Sequence, residues 1–452
     1  FIYDDLTAMQ KWMENAFRQI GREKKFNVRA VNVTAFGATV VHLNIAGELA
    51  APVFSYMTEV QDDFHEGFVK TFAELPGGFA RLATPPLGKF LNVAKQLFWL
   101  AKARRDIAKE ISHSLFLPQY FIYILTDQVF SEPTTLGCHT GLWDFQNGKI
   151  SRNALESLKW QSKIPAIVKN NAMLHLKKQY GSLLNARNEI IVGAGLHDSS
   201  SALVPFSRTL KENFVLVSTG TWIIAQNPGA TFKLTEGDLA EDRLYYLTPD
   251  KEPVRAARLF GGREHEIQLE RISKHFGEKP GISGSGSGSG KRNKLRSYLQ
   301  GFFAERIDRS LVPAALQGTG PFPYCLAGDW NLGAFASEEE AYARLCLDLA
   351  VLTSYCIDSV ASENSENIVV DGGFAKNEWF VEIVAILQVS KRLYVTEVPQ
   401  ATALGAAMMV HEQWAEKQKA DDIVNLRSIE STLMEGLHVY AERFLAKMAA
   451  DD

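Results

Sequence analysis

Ile190-Ile191-Val192-Gly193-Ala194-Gly195-Leu196-His197-Asp198-Ser199-Ser200-Ser201-Ala202 is the stretch that decides the fold. Its short apolar run predicts a buried strand. The strand empties into a Gly-Ala-Gly turn, then into an adjacent His and Asp followed by small hydroxyl residues. A strand ending this way belongs to an α/β sheet, where ligands bind beyond the carboxyl ends of the strands. The glycines let backbone approach a ligand closely. Asp198 at that end can take a proton from an attacking hydroxyl. An Asp before Ser-Ser equally suits a helix N-cap, and spacing alone leaves both readings open.

Three further segments extend the pattern. Val217-Ser218-Thr219-Gly220-Thr221-Trp222 reads as a strand, a tight turn and a second strand. Backbone N–H groups and hydroxyls in such a turn can cradle phosphate oxygens; an ordinary hairpin turn has the same composition. Ile368-Val369-Val370-Asp371-Gly372-Gly373 is a strand leading through Asn377 into a helix. A helix N-terminus there suits adenosine or phosphate, and a plain strand-to-helix corner is the alternative. Glu397 to Ala407 is rich in small residues, which lets a helix lie close against another backbone.

The rest of the chain alternates in the same way. Apolar spacing predicts a helix over Asp5–Ile20, strands at Val28–Thr34 and Thr39–Leu43, and mostly helix from Pro85 to Leu125. A helix is expected over Ile164–Lys178 after Pro165. Strands follow at Phe214–Val217 and Trp222–Ala225, with helices after Gly262 and Lys291 and a long one at Glu338–Ser362. A strand at Asn367–Val370, a helix at Asn377–Val389, a strand at Leu393–Val395 and a helix at Ala401–Trp414 close the series. The boundary is expected near Leu203–Ser207, giving domains 1–204 and 205–452. Residues 281–290, with their Ser-Gly alternation, are linker-like.

Composition removes several function classes. Of 452 residues, 48 are Lys or Arg and 52 Asp or Glu, for a net charge of -4. No basic excess exists to neutralise a nucleic-acid backbone. Apolar runs fall short of the roughly 20 residues that span a bilayer, so no membrane partner is expected. Phe1-Ile2-Tyr3 is followed at once by Asp4-Asp5, the wrong charge for the start of a signal peptide. Four scattered cysteines without a CxxC read as buried thiols in a reducing cytoplasm. His139 and His197 lack partners at zinc-ligand spacing. Neither GxxxxGK[ST], GxGxxG nor GxSxG occurs, which sets aside a dinucleotide-dependent oxidoreductase.

Taken together and in order, these segments resemble the FGGY family of carbohydrate kinases, within the actin-like ATPase superfamily. The nearest likeness is to its rhamnulokinase and fuculokinase-like branch. It rests on Gly195 through Ala202, Ser218 through Trp222, Asp371-Gly372-Gly373 through Asn377, and Val398-Pro399 with Ala401-Thr402-Ala403-Leu404-Gly405-Ala406-Ala407. Asn32-Val33-Thr34-Ala35-Phe36-Gly37 and Phe116-Leu117-Pro118-Gln119-Tyr120 add to it. The resemblance implies an α/β fold of two ribonuclease-H-like domains facing across a cleft, sugar on the first and ATP on the second. It implies Asp198 as general base, with His197, Ser199 and Gly37 at the sugar. It implies Gly220 and Thr221 at the ATP phosphates, Gly373 and Asn377 at the adenosine, Gly262 as a further nucleotide contact, and Mg²⁺ bridging the phosphates. The substrate class is a small sugar, a ketose such as rhamnulose, fuculose or xylulose, and a homodimer is compatible. The family opens with a D-x-G-T/S phosphate hairpin, whereas this chain begins at Phe1, downstream of it. Gly137-Cys138-His139-Thr140-Gly141 replaces a Ser/Thr-rich segment. The competing reading is an actin-like protein that holds nucleotide or sugar without turnover.

Overall fold

Val215, Val217, Ile368 and Val370 lie on two neighbouring strands, and each is sealed from solvent. Such near-continuous apolar runs mark parallel strands covered on both faces. Phe214–Thr219 pairs in parallel with Asn367–Gly372, in the register Phe214 to Asn367 through Thr219 to Gly372. They form the centre of a seven-stranded sheet. Its order is Arg243–Leu247, Pro253–Leu259, Ile223–Asn227, Phe214–Thr219, Asn367–Gly372, Arg392–Thr396 and Leu426–Ile429. The computed structural model describes residues 1–168, 174–210, 212–230, 233–277, 289–304, 320–323, 325, 330–396, 400–412 and 424–451.

Register alone brings three glycine turns to one end of this sheet. Thr219 stands opposite Gly372, so Gly220 and Gly373 are neighbours. Ile223 pairs with Leu259 in the antiparallel sense, which sets Gly261-Gly262 at the same edge. The helix Glu338–Val360 supports the sheet, with Leu345, Leu349 and Leu352 wholly buried. Ser337 caps it by accepting the Glu340 N–H at 3.2 Å, and three glutamates fill its first turn, the sign its dipole favours.

The first half uses shorter pairings. Ala30–Val31 runs parallel to Ile191–Val192, and Thr34–Ala35 parallel to Leu196–His197. Val40–Leu43 runs antiparallel to His113–Phe116. Among the described residues no helix is long and apolar enough to cross a membrane.

The halves meet where two helices cross. Asp198–Thr209 packs on Ala401–His411, and the stripe of small residues allows the close approach expected of it. A Cβ at Gly405 would overlap the Ser201 carbonyl oxygen. Pro205 lies inside the first helix and has no N–H to offer Ser201, its partner four residues back. The Ser201 carbonyl is thus left free where Gly405 arrives. Ser201 Oγ donates to Thr402 O at 2.8 Å, and Asn32 Nδ2 donates to Ala406 O at 2.8 Å.

Three expectations need correction. Residues 203–207 are the interior of the helix Asp198–Thr209, not a connection between strand units. Ile164–Lys178 is not one helix. Ile167 bridges Ser131, Leu174–His175 pairs with Ile191–Val192, and a helix begins only at Lys178. Ile164, Ile167 and Val168 are β-branched and take extended pairing where a partner is offered. Within Pro85–Leu125 the strand His113–Phe116 interrupts the helices, because Val40–Leu43 needs a partner. Residues 283–288 of the Ser-Gly run and the pair Val398-Pro399 lie outside the described residues.

Candidate active site

The pairing of Ala35 with His197 places Phe36-Gly37 beside His197-Asp198. A Cβ at Gly37 would stand 2.8 Å from Cys138 Sγ and 3.3 Å from His197 Cδ2. Only glycine therefore lets this loop close on the histidine. His197 is buried, and its backbone N–H donates to Thr134 Oγ1 at 2.9 Å. Its Nε2 lies 3.1 Å from Asp198 Oδ1 and 3.0 Å from Cys138 Sγ, and its Nδ1 3.3 Å from Ser200 Oγ. An ionised carboxylate only accepts, so Nε2 carries a proton and donates to Asp198.

Asp198 is the first residue of its helix and not the cap; His197 holds the cap position. The capping reading therefore falls away, and the carboxylate is free for another task. Oδ1 accepts from the Ser199 N–H at 2.6 Å, from Ser199 Oγ at 3.2 Å, and from His197. Oδ2 takes no hydrogen bond or ion pair among the described residues. The side chain is 41% exposed. Burial of the site pushes the carboxyl up, but the His197 ring and the Ser199 donors outweigh it and hold the pKa below its ordinary value. Cys138 is inert by contrast: burial, with the Asp198 charge nearby, pushes its thiol well up.

Gly37, Ala38, His197, Asp198 and Ser199 line a cavity of about 90 Å³ with Phe36, Tyr56, Leu91, His139, Trp222, Ile224 and Arg258. Its far wall comes from the second half of the chain. Arg258 is buried and ion-paired to Asp242. It donates from Nη1 to His139 Nδ1 at 3.1 Å, while His139 Nε2 lies 3.1 Å from Tyr246 Oη. Arginine only donates, so His139 Nδ1 accepts and Nε2 holds the proton. Burial and the Arg258 charge push His139 well below its ordinary pKa. Sequence reasoning missed His139 as a partner, and missed Arg258 and Tyr246. A signal existed: Arg255 and Arg258 are charges set within the otherwise apolar run Val254-Arg255-Ala256-Ala257-Arg258-Leu259, and charged residues are seldom buried unless paired.

The three glycine turns form the second part of the site. Gly220 and Thr221 are exposed, and nothing lies within 4 Å of a Cβ at Gly220. A Cβ at Gly262 would overlap the Gly220 oxygen and stand 2.9 Å from the Thr221 oxygen. Arg263 N donates to Thr221 O at 3.1 Å. Gly262 thus seats the Gly220-Thr221 turn on a helix N-terminus. Gly372 has φ +90, and a Cβ there would overlap Thr219 O. Gly373 is exposed, with only Thr219 O at 3.9 Å from its Cβ position. Asn377 is turned into the protein. Its Oδ1 caps the next helix at Phe380 N, 3.2 Å, and its Nδ2 donates to Tyr342 Oη at 2.9 Å. Asp371, beneath this turn, is pushed up to about 6 by burial, against a backbone hydrogen bond from Gly372.

The cavity around Asp198 takes in Trp222, next to the Gly220-Thr221 turn, but is not lined by Gly220, Gly262 or Gly373. Residues 211–419 match carbohydrate kinase FGGY, C-terminal domain. This part of the chain is a carbohydrate-kinase domain, of the phosphotransferases with an alcohol group as acceptor. A carbohydrate kinase from Novosphingobium aromaticivorans superposes with TM-score 0.77 at 25% identity, covering 99% of this chain and 90% of that one. A xylulose kinase from Lactobacillus acidophilus gives 0.76 at 12% identity, covering 99% and 88%. A Plasmodium falciparum glycerol kinase with ADP gives 0.69 at 15% identity, covering 97% and 87%. No curated protein matches by sequence. The α/β fold of two actin-like ATPase domains extends from the kinase domain across the whole chain.

Proposed function

We propose that the protein is an ATP-dependent sugar kinase that moves the γ-phosphoryl group of ATP to a hydroxyl of a small ketose. Rhamnulose, fuculose and xylulose are the leading acceptors, on the likeness to the rhamnulokinase and fuculokinase branch and to a xylulose kinase. Residues 1–204 serve as the sugar half and 205–452 as the ATP half, with the helix Asp198–Thr209 passing between them. The observation that carries this reading is the Asp198 carboxylate, tied at Oδ1 by three donors while Oδ2 is left to the cavity.

In this reading Asp198 Oδ2 accepts the proton of the attacking hydroxyl. His197 and Ser199 hold the carboxylate in position, and Gly37 keeps the sugar wall narrow. Phe36 and Tyr56, with ring centroids 5.9 Å apart, give that wall an apolar surface. The donor set fits a nucleotide: Gly220 and Gly373 expose backbone with room above them, and the Gly261 helix N-terminus favours anions. Asn377 shapes the adenosine side through its cap.

Mg²⁺ keeps most of its waters and takes one or two carboxylates besides phosphate. Among the described residues no group of three or more His, Cys, Asp or Glu stands ready for a metal. In this reading the cation comes with ATP, with Asp371 as the carboxylate beside the nucleotide turn. Bound there, Mg²⁺ would neutralise phosphate charge. Four buried cysteines, all in the thiol form, suit a cytoplasmic location. ADP release measured against a panel of ketoses, aldoses and polyols tests the reading. Sugar-dependent release supports it. Tight ATP binding with no release on any acceptor would leave a binding protein without turnover.

A further inference from the structure

We propose that Arg258 is a catalytic residue: its guanidinium, carried by the ATP half, meets the phosphoryl group as it passes to the sugar. This rests on the kinase reading above. Arg258 is the one permanently cationic side chain among those lining the Asp198 cavity. Its guanidinium also lies 5.0 Å above the Trp222 ring, and Trp222 directly follows the Gly220-Thr221 turn. It therefore lines the same cavity as the acid that receives the proton and rests on the residue next to the turn assigned to phosphate.

The side chain is built to be rigid. Asp242 holds Nη2, and its own second oxygen accepts the Gly320 N–H at 3.1 Å. His139 Nδ1 accepts a hydrogen bond from Nη1. A guanidinium has five N–H donors, and these two contacts use two of them. Nε is buried and has no partner among the described residues. A buried donor left unmatched is costly. Donors fixed in advance and aimed at developing charge are the ones that accelerate phosphoryl transfer.

The step balances as follows. The sugar oxygen forms a bond to the γ-phosphorus, and its proton goes to Asp198 Oδ2. The bond from the γ-phosphorus to the bridging oxygen breaks, and its electron pair leaves on ADP. Arg258 neither gives nor takes a proton; its N–H groups face the equatorial oxygens throughout.

The test uses the full chain and a double variant, Arg258→Gln with Asp242→Asn, so that neither charge is left buried alone. The expected result is a fall in kcat of about 100-fold or more, with the KM for ATP and sugar within about threefold. A folded double variant that keeps its kcat, or loses only sugar KM, overturns the proposal. A second readout needs no acceptor: calorimetry of MgADP with and without aluminium fluoride, a planar mimic of the moving phosphoryl. Fluoride should tighten MgADP binding in the native protein and not in the variant. Equal tightening in both, or none in either, overturns the role of Arg258 by itself. Absence of sugar-dependent ADP release in the native protein would instead overturn the kinase reading. Should the double variant fail to fold, Arg258→Lys answers in both assays, since it keeps the charge and loses the planar fork. Unchanged kcat and unchanged fluoride tightening in that variant overturn the proposal as well.

Discussion

Gly262→Ala is a one-methyl change whose outcome the structure decides. In an ordinary helix interior it would stabilise the protein by up to about 1 kcal/mol. Here the new Cβ overlaps the Gly220 carbonyl oxygen and stands 2.9 Å from that of Thr221. Relief to a C···O separation of about 3.3 Å moves the turn on the order of 1 Å. Overpacking of this kind costs about 1–3 kcal/mol, so the clash outweighs the helical gain. The Arg263 N to Thr221 O bond, 3.1 Å long, is strained with it. A misplacement of about 1 Å at a reacting group lowers rate about 100-fold. We expect kcat/KM for ATP to fall by about that factor, while sugar affinity by calorimetry stays within about threefold. Melting should drop by about 2–4 °C per kcal/mol lost. A folded Gly262→Ala protein with native kcat/KM for ATP would refute the seating of the Gly220 turn on this helix.

Asp198→Asn should keep the fold and nucleotide affinity and lose about 10²–10⁴-fold in kcat; near-native turnover would show that the carboxylate takes no proton. Asp371 is raised from 3.8 to about 6, so the folded chain binds its proton more tightly than the unfolded one. That stability is full below about pH 4 and is lost as pH rises through about 6. Asp371→Asn should remove this slope and stabilise the protein near pH 7 by about 2–3 kcal/mol, as read from denaturant melts between pH 4 and 7. Sugar and an ATP analogue should each tighten the other about 5–150-fold, and calorimetry with equal affinities in both orders would defeat a shared closed state.

The strand-turn units were legible because each is local. Gly195-Leu196-His197-Asp198, Ser218-Thr219-Gly220 and Asp371-Gly372-Gly373 each carry their geometry within a few residues. The small residues around Gly405 announced a close helix approach, though not Ser201 as its partner. Strands Arg243–Leu247 and Pro253–Leu259 escaped notice, because Arg243, Arg255 and Arg258 break the apolar pattern. Arg243 pairs with Asp238 and Glu241, Arg255 with Asp238 and Arg258 with Asp242. The His139 to Arg258 bond spans 119 residues, a pairing that no local pattern announces. Pro205 suggested a break, but it lies inside the helix, and the carbonyl it frees is where Gly405 of the crossing helix comes close. Asn377 carries the motif, while its amide is already spent on Phe380 and Tyr342.

The depressed pKa of Asp198 bears on how it works. A general base acts best with a pKa near the working pH, and His197 and Ser199 move this one the other way. A weak base suffices when the nucleophile is hardly bonded at the transition state. Loose phosphoryl transfer is such a case, since the hydroxyl keeps its proton until late. In the proposed reading Asp198 then serves first to aim the hydroxyl at phosphorus and only afterwards to receive the proton. The three donors on Oδ1 fit that order: they fix the carboxylate's direction at the expense of its basicity. Aim without proton pull leaves most of the barrier to charge stabilisation on the phosphoryl oxygens. That demand falls on the far wall of the cavity, where Arg258 stands locked between Asp242 and His139.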